Sequence, residues 1–378
     1  VTTRSRIPYV DLAAQFREER ADLLAAVERT LASGGYIGGS EIEALEQDLA
    51  KLCETREAVA LNSGTDALIF ALRALGIGPG DEVITPPNSF VASTGAVVQV
   101  GATPVFVDVQ PDQNIDPAKI AAAVTKRTRA IMPVHLTGRV CDMEPILEIA
   151  RRHGVAVIED AAQAIGSRYH GKTSGSFGDV GCFSCHPLKN LNACGDAGFV
   201  VTNDAKLAGV MRSLRNHGLV GRDSVDQFGL VSRMDTLQAA ILRYRLGRLP
   251  AIIERRRKNV ALYRKLLHPA AFNPPEGPDE FIAYHTFVIQ TDCRDELKVH
   301  LAAHGIETAI HYPVPIHLQP AASRLGYGRG AFPVCERQAE RILTLPIHPW
   351  LSPDDVAAVA EATNQFLADN RRSLAQGA

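Results

Sequence analysis

Long apolar runs, charge of one sign and a paired-cysteine framework are all missing from this 378-residue chain. No stretch of eighteen apolar residues occurs, which excludes a membrane-spanning helix. The opening residues, VTTRSRIPYVDLAAQF, have no apolar core of the kind a secretory signal needs, so the expectation is a cytoplasmic protein with no membrane partner. Formal net charge is -2 with a pI near 6.7, and the longest run of like charge is RRRK at Arg255 to Lys258. That is too little for a nucleic-acid footprint. The run lies among Ile252, Ile253, Val260 and Leu262 at helical spacing, which predicts the wet face of a long helix. Cysteines number seven, at positions 53, 141, 182, 185, 194, 293 and 335; an odd, scattered set fits reduced thiols.

Two motifs invite a wrong assignment. Cys182, Cys185 and His186 spell the pattern for haem attachment, with Cys194 close enough to suggest a metal. They sit in a strand-like run, VGCFSCH, whose alternate residues face opposite ways, and a zinc ion would lack a plain fourth ligand. Neither haem nor metal is expected. Gly76, Gly78 and Gly80 follow a helix and precede a strand, the reverse of a dinucleotide-binding loop, so they read as helix termination and turn.

With 46% hydrophobic residues the chain can fill a large domain and a smaller one. A helix is predicted over Leu12 to Leu31, with Leu12, Phe16, Leu23, Leu24, Val27 and Leu31 as its apolar stripe. A second helix starts after Ser40, which with Glu43 forms a capping box. Strands are predicted at 58–61, 82–85, 104–107, 130–134, 155–159, 180–184 and 199–202, mostly separated by helices. Such alternation implies an α/β fold with a mostly parallel sheet covered on both faces. Past about Pro250 come a long helix, a proline-rich passage, the strand-like AYHTFVIQ and a last helix from Asp354 to Leu367. The division expected is 1–250 and 251–378. HYPVPIHLQPA, from His311 to Ala321, is poor in secondary-structure signals and reads as a binding loop.

The chemistry concentrates between Ile158 and Asp204. Asp160 closes the apolar run VAVIED, a buried parallel strand, and so faces the crevice where open α/β sheets bind ligands. Lys189 follows in a glycine-flanked loop, with Ser184 shortly before it. An acid that keeps a pyridine nitrogen protonated and a lysine that holds an aldehyde as an imine are what pyridoxal phosphate needs. In NSGTDAL a short strand runs through Gly64 into a helix whose free N–H groups, with the Thr65 hydroxyl, would cradle a phosphate.

Blocks in order along nearly the whole chain resemble the DegT/DnrJ/EryC1/StrS family of sugar aminotransferases: NSGTDAL, GDEVITPPNSFVAS, ATPVFVDV, EDAAQAIG, GSFGDVGCFS, HPLKNLNACGDAG, SRMDTLQAAIL and YPVPIHLQPA. The resemblance implies the three-layer fold of pyridoxal phosphate-dependent transferases, with a seven-stranded, mostly parallel sheet, a smaller C-terminal α/β domain, and the first helix packed on that domain. It implies that Lys189 carries pyridoxal 5'-phosphate as the internal aldimine and shuttles the proton, with pyridoxamine 5'-phosphate as the intermediate form. Asp160 would pair with the ring nitrogen, Gln163 would meet the phenolic oxygen, Phe90 would stack on the ring, and Gly64, Thr65 and Ser184 would hold the phosphate.

The family also implies a homodimer with active sites at the interface, where Arg233 would reach the partner's phosphate. Relatives often carry Asn where this chain has Val231, and an aromatic where it has Cys185. Family members that dehydrate sugars carry His at the Schiff-base position, so Lys189 points to transamination. The substrates implied are L-glutamate or L-glutamine and a keto-sugar carried on a nucleotide. Tyr36, His135, His311, Tyr312 and His317 are candidate sugar contacts. The alternatives are a keto-inositol acceptor or a regulatory protein that keeps the fold without turnover.

Overall fold

A computed structural model describes residues 6–376. The chain opens with α1 (Leu12–Ser33), capped by Asp11, whose Oδ1 accepts the Ala14 N–H at 2.7 Å, and ended by Gly34 in the left-handed conformation. Next come α2 (Ser40–Leu52), β1 (Glu57–Leu61), α3 (Gly64–Ala74), β2 (Glu82–Thr85), α4 (Ala92–Gln99), β3 (Thr103–Phe106), α5 (Pro117–Ala123), β4 (Thr128–Ile131), α6 (Met143–His153) and β5 (Ala156–Asp160). Two short strands, β6 (Arg168–Tyr169) and β7 (Lys172–Thr173), precede β8 (Val180–Ser184), β9 (Gly198–Thr202), α7 (Ala205–Leu214) and α8 (Thr236–Leu266). The remainder is β10 (Glu280–Phe281), β11 (Phe287–Gln290), α9 (Arg294–Ala303), α10 (Pro333–Arg341), β12 (Ile342–Leu345) and α11 (Pro353–Gln376). Among the described residues no helix is long and apolar enough to cross a membrane.

The main sheet has seven strands in the order β1-β9-β8-β5-β4-β2-β3. Only β9 runs against the rest. Alternate residues of each strand feed opposite layers. Ala58, Ala60, Phe183, Phe199 and Val201 enter the core shared with α2 and α8, whereas Val59, Leu61, Val180, Cys182 and Val200 enter the one under α3 and α7. This period of two, with both faces buried, makes the strands read as continuous apolar runs. It also separates Cys182 from Cys185, which lies in the first core. The two sulfurs cannot converge on one haem.

Beyond the sheet, β11 and β12 pair antiparallel and pack with α9 and α11 around Tyr263, Phe287 and Leu343. α8 runs unbroken through Pro250, so one helix belongs to both parts of the chain. α1 lies along it. Buried Glu19 pairs with Arg245 of α8 at 3.0 Å, Gln15 bonds Asn192 in the loop after β8, and Glu18 accepts the Trp350 indole N–H at 2.7 Å.

Three local expectations need correction. Ser40 does not cap α2: Gly38 and Gly39, both at positive φ, bring the chain into helix one residue earlier, and Ser40 is already inside it. On α1, Leu12, Phe16, Leu24 and Leu31 are exposed while Gln15, Glu19 and Thr30 are buried, because polar partners on α8 and the loop after β8 claim that face. The RRRK run is not uniformly wet. Arg255 and Arg257 pair with Glu18 and Glu276, but Arg256 is buried and donates to the carbonyls of Tyr284 and His285 at 3.2 and 3.1 Å.

Candidate active site

The carboxyl ends of β1, β5 and β8 open on one cavity of about 460 Å³, joined by the loop after β2 and by two segments of the C-terminal part. Its lining includes Gly64, Thr65, Phe90, Asp160, Gln163, Ser184, Lys189, His311 and Tyr312. These come from distant points in the sequence because parallel strands deliver their ends to the same edge of the sheet.

Asp160 is the last residue of β5, and its two oxygens accept from Ser93 Oγ at 2.6 Å and from the Ala162 N–H at 3.2 Å. Lys189 sits in the turn after β8, where its N–H bonds the His186 carbonyl at 2.8 Å. Burial pushes its amine down to about 8, against the pull of Asp160 and Cys185. The Cys185 thiol, buried beside it, is pushed up to about 12.

The start of α3 meets the end of β8 at very close range. A Cβ on Gly64 would stand 2.6 Å from Ser184 Cβ, and one on Gly198 would overlap the Ser63 carbonyl, so side chains larger than glycine would close the junction. Ser63 caps α3 through the Asp66 N–H at 3.1 Å. The N–H groups ahead of it, on Gly64 and Thr65, carry no intrahelical bond at a helix start, and Thr65 is exposed. A cradle with free donors and a hydroxyl at each side fits a phosphate.

The opposite wall is built on strained backbone. Tyr312 and Thr137 have φ of 64° and 62°, and Gln163 joins them: its Oε1 accepts the Thr137 N–H at 2.8 Å and its Nε2 donates to Tyr312 Oη at 3.1 Å. Burial holds the Tyr312 hydroxyl firmly protonated. The His311 ring bonds Thr344 Oγ1 through Nδ1 at 2.8 Å, and burial, with the charge of Lys189, pushes it down to about 4. Phe90 lies at the mouth, half exposed, its ring 6.2 Å from that of Tyr312.

Four expected residues lie outside the lining. His135 is fully buried, accepts the Cys141 N–H through Nδ1 and donates from Nε2 to Glu159 at 2.9 Å. Glu159 in turn accepts the N–H groups of Gly175, Phe177 and Gly178. This clasp satisfies a buried carboxylate and has no lone pair left for a sugar. His317 is likewise spent on Glu336, at 3.0 Å. Tyr36 is exposed and makes only a long contact to the Leu31 carbonyl. Arg233 donates to Asn216, which bridges to Val231 through the backbone.

The cavity also contains three residues that were not among the expected site residues: His186, Asp196 and His285. His285 follows Tyr284, whose φ is 49°, and Gly138 makes room for both N–H groups. Its Nδ1 is buried without a partner, and burial beside Lys189 and Arg256 holds the imidazole neutral. The signal was present in AYHTFVIQ only as one histidine ahead of a strand.

The chain is similar to known proteins along almost its whole length. The chain is 45% identical to a dTDP-3-amino-3,4,6-trideoxy-alpha-D-glucose transaminase of Streptomyces venezuelae, covering 96% of each. It is 44% identical to a UDP-N-acetyl-3-dehydro-alpha-D-glucosamine 3-aminotransferase of Acidithiobacillus ferrooxidans, covering 97% of this chain and all of that one. The crystal structure of S. venezuelae DesV in complex with a ketimine intermediate superposes with a TM-score of 0.94 at 45% identity, covering 96% of this chain and 99% of that one. NtdA from Bacillus subtilis with bound cofactor PMP superposes at 0.87 and 32% identity, over 96% and 86%. Residues 17–364 match the family as a whole, and the chain belongs to the DegT/DnrJ/EryC1/StrS aminotransferase family.

Proposed function

We propose that this protein is a pyridoxal phosphate-dependent transaminase that moves an amino group from L-glutamate or L-glutamine to a keto-sugar carried on a nucleotide, for amino-sugar biosynthesis in the cytoplasm. The observation that carries the reading is the placement of Asp160, Lys189 and the Gly64–Ser184 cradle around one cavity. Two relatives are named for dTDP- and UDP-linked sugars, which supports a nucleotide-linked acceptor and leaves the base open.

When bound, pyridoxal phosphate supplies an aldehyde for a lysine and a protonated ring that draws charge from an adjacent carbon. The rest is done by the chain. The N–H groups of Gly64 and Thr65, with the Ser184 hydroxyl, would hold the phosphate. Asp160, with two donors already fixing its carboxylate, has lone pairs left that would meet the ring nitrogen. An amine at about 8 is neutral in a far larger fraction near neutrality than a free lysine, so Lys189 is ready to attack an aldehyde. Displaced by an amino donor, the same amine would be free to take up a proton at the reacting carbon and give it back. Gln163, braced by Thr137 and Tyr312, would offer its second amide N–H to the ring oxygen. His285, His311 and Tyr312 form the wall a sugar would meet.

A dimer completes the reading. Ile37, Val220, Phe228, Leu230 and Val231 are exposed large apolar side chains in segments flanking Arg233, with Phe228 98% exposed. A second copy covering them would bring its Arg233 to the phosphate end of the cavity.

The test uses purified protein supplied with pyridoxal phosphate. Glutamate should bleach its yellow colour, and a nucleotide-linked keto-sugar should restore it. Protein that stays colourless with added cofactor overturns the proposal; colour restored by a keto-inositol and by no keto-sugar replaces the acceptor.

A further inference from the structure

The acid at the end of β5 is gripped by a side chain from another element. Ser93 lies in the first turn of α4 and is 1% exposed; its Oγ stands 2.6 Å from Asp160 Oδ2. The same hydroxyl is 3.4 Å from the Phe90 carbonyl. With one proton to give, it goes to the short contact with a charged acceptor. A serine this early in a helix would ordinarily be read as a cap, but α4 begins with no side-chain capping bond. The hydroxyl is spent on the carboxylate and not on the helix.

We propose that Ser93 is a positioning residue for Asp160: it fixes the carboxylate so that its unused lone pairs face the cavity. The inference rests on the reading of that cavity as a pyridoxal phosphate site. Each carboxylate oxygen takes one protein donor, Ser93 on Oδ2 and the Ala162 N–H on Oδ1, which leaves one further acceptor position on each. Rotation about the last torsion of an aspartate is soft. A single long bond from Ala162 would let the carboxylate swing, whereas donors on both oxygens define its plane. Ser93 does not itself line the cavity, so it acts only through Asp160. The placement is economical in sequence: PNSFVAS delivers Phe90 to the cavity mouth and, three residues later, the hydroxyl to the acid behind it.

The experiment compares Ser93→Ala, Ser93→Thr, Ser93→Cys, Asp160→Asn and the Ser93→Ala/Asp160→Asn pair, all supplied with pyridoxal phosphate. Three quantities are read: the pH midpoint of the bound cofactor's visible-spectrum change, cofactor affinity by equilibrium dialysis, and the rate of bleaching by glutamate. Ser93→Ala should shift the midpoint by about half a pH unit or more and slow bleaching about ten-fold, the size expected for a lost charge-assisted hydrogen bond. Ser93→Thr should restore both, and Ser93→Cys, a weaker donor, should fall between. In the Asp160→Asn background Ser93→Ala should change each quantity less than about two-fold, because interaction through one residue is not additive. An unshifted midpoint in Ser93→Ala, or an equal loss in the Asp160→Asn background, overturns the role of Ser93 while the site reading stands. Wild-type protein that takes up no pyridoxal phosphate overturns both.

Discussion

On one side of the cavity Gly64, Asp160, Ser184 and Lys189 stand at or just beyond the ends of strands buried on both faces; on the other, His285, His311 and Tyr312 hang from the C-terminal part on backbone at or next to positive φ. The first wall is fixed by the sheet. Its residues need only the register of β1, β9, β8 and β5, set by core residues such as Val59, Ile158, Val180 and Phe183. The second wall is fixed by contacts between regions far apart in sequence: Gln163 to Tyr312, Arg256 to the His285 carbonyl, Thr344 to His311. A rigid wall suits a cofactor that every turnover shares. A wall assembled from side-chain contacts can differ between relatives that keep the sheet, which fits the different sugars named for them.

Breaking the first wall should have the largest effect. Lys189→Ala should abolish transamination and the visible absorbance of the lysine–cofactor imine, while circular dichroism and melting stay close to wild type; retained absorbance contradicts the assignment. Asp160→Asn should still bind cofactor but slow the glutamate half-reaction about a hundred- to a thousand-fold, measured by stopped-flow bleaching. A rate within a few-fold of wild type would remove Asp160 from the chemistry.

Arg256→Met tests the second wall. It removes the donor to two carbonyls that hold the strained Tyr284–His285 turn, and each loses a bond whose absence costs about 1–3 kcal/mol, offset in part by no longer burying a guanidinium. The expected result is a moderate fall in the urea midpoint and about a ten-fold rise in KM for the sugar, with cofactor affinity unchanged. Equal losses for sugar and cofactor would mean that the two walls are one mechanical unit.

The same contrast explains what the sequence made legible. Apolar runs bounded by glycine and proline place all seven sheet strands within a few residues, because burial on both faces leaves a period-independent signal. Gly64, Asp160, Ser184 and Lys189 could be read from position relative to those strands. His135 and His317 looked equivalent to His311, since one histidine in a loop is like another until its partner is known; Glu159 and Glu336 take the first two. Arg256 could not be separated from Arg255 and Arg257 by charge alone. Their difference is which side of α8 meets the turn at Tyr284, a tertiary fact. Ser40 did not prove to be a side-chain cap because two glycines at positive φ ahead of α2 moved its start.

The two walls should also titrate apart, which is the smallest effect and the most discriminating. Burial lowers the imidazole of His311 to about 4 and that of His285 well below its ordinary value, so both fold neutral. Unfolded, they take protons near 6.5. Between about 6.5 and 4 the unfolded chain therefore binds more protons, and stability falls as pH falls, by up to about 1.4 kcal/mol per pH unit for each histidine. Lys189 acts with the same sign in another window. Its amine is held near 8 when folded and near 10.5 when unfolded, so the cost of burying its charge is full below 8 and is relieved as pH rises from 8 to 10.5. Urea midpoints of cofactor-free protein should rise with pH through the acidic window; in the alkaline window buried thiols such as Cys185 act with the opposite sign, so the Lys189 contribution is read there as the difference between wild type and Lys189→Met. Lys189→Met should remove the alkaline contribution and also shorten the acidic rise, because the Lys189 charge helps hold His311 and His285 down, whereas His311→Asn should reduce the acidic rise alone; an acidic rise untouched by Lys189→Met would mean the two walls are electrostatically independent.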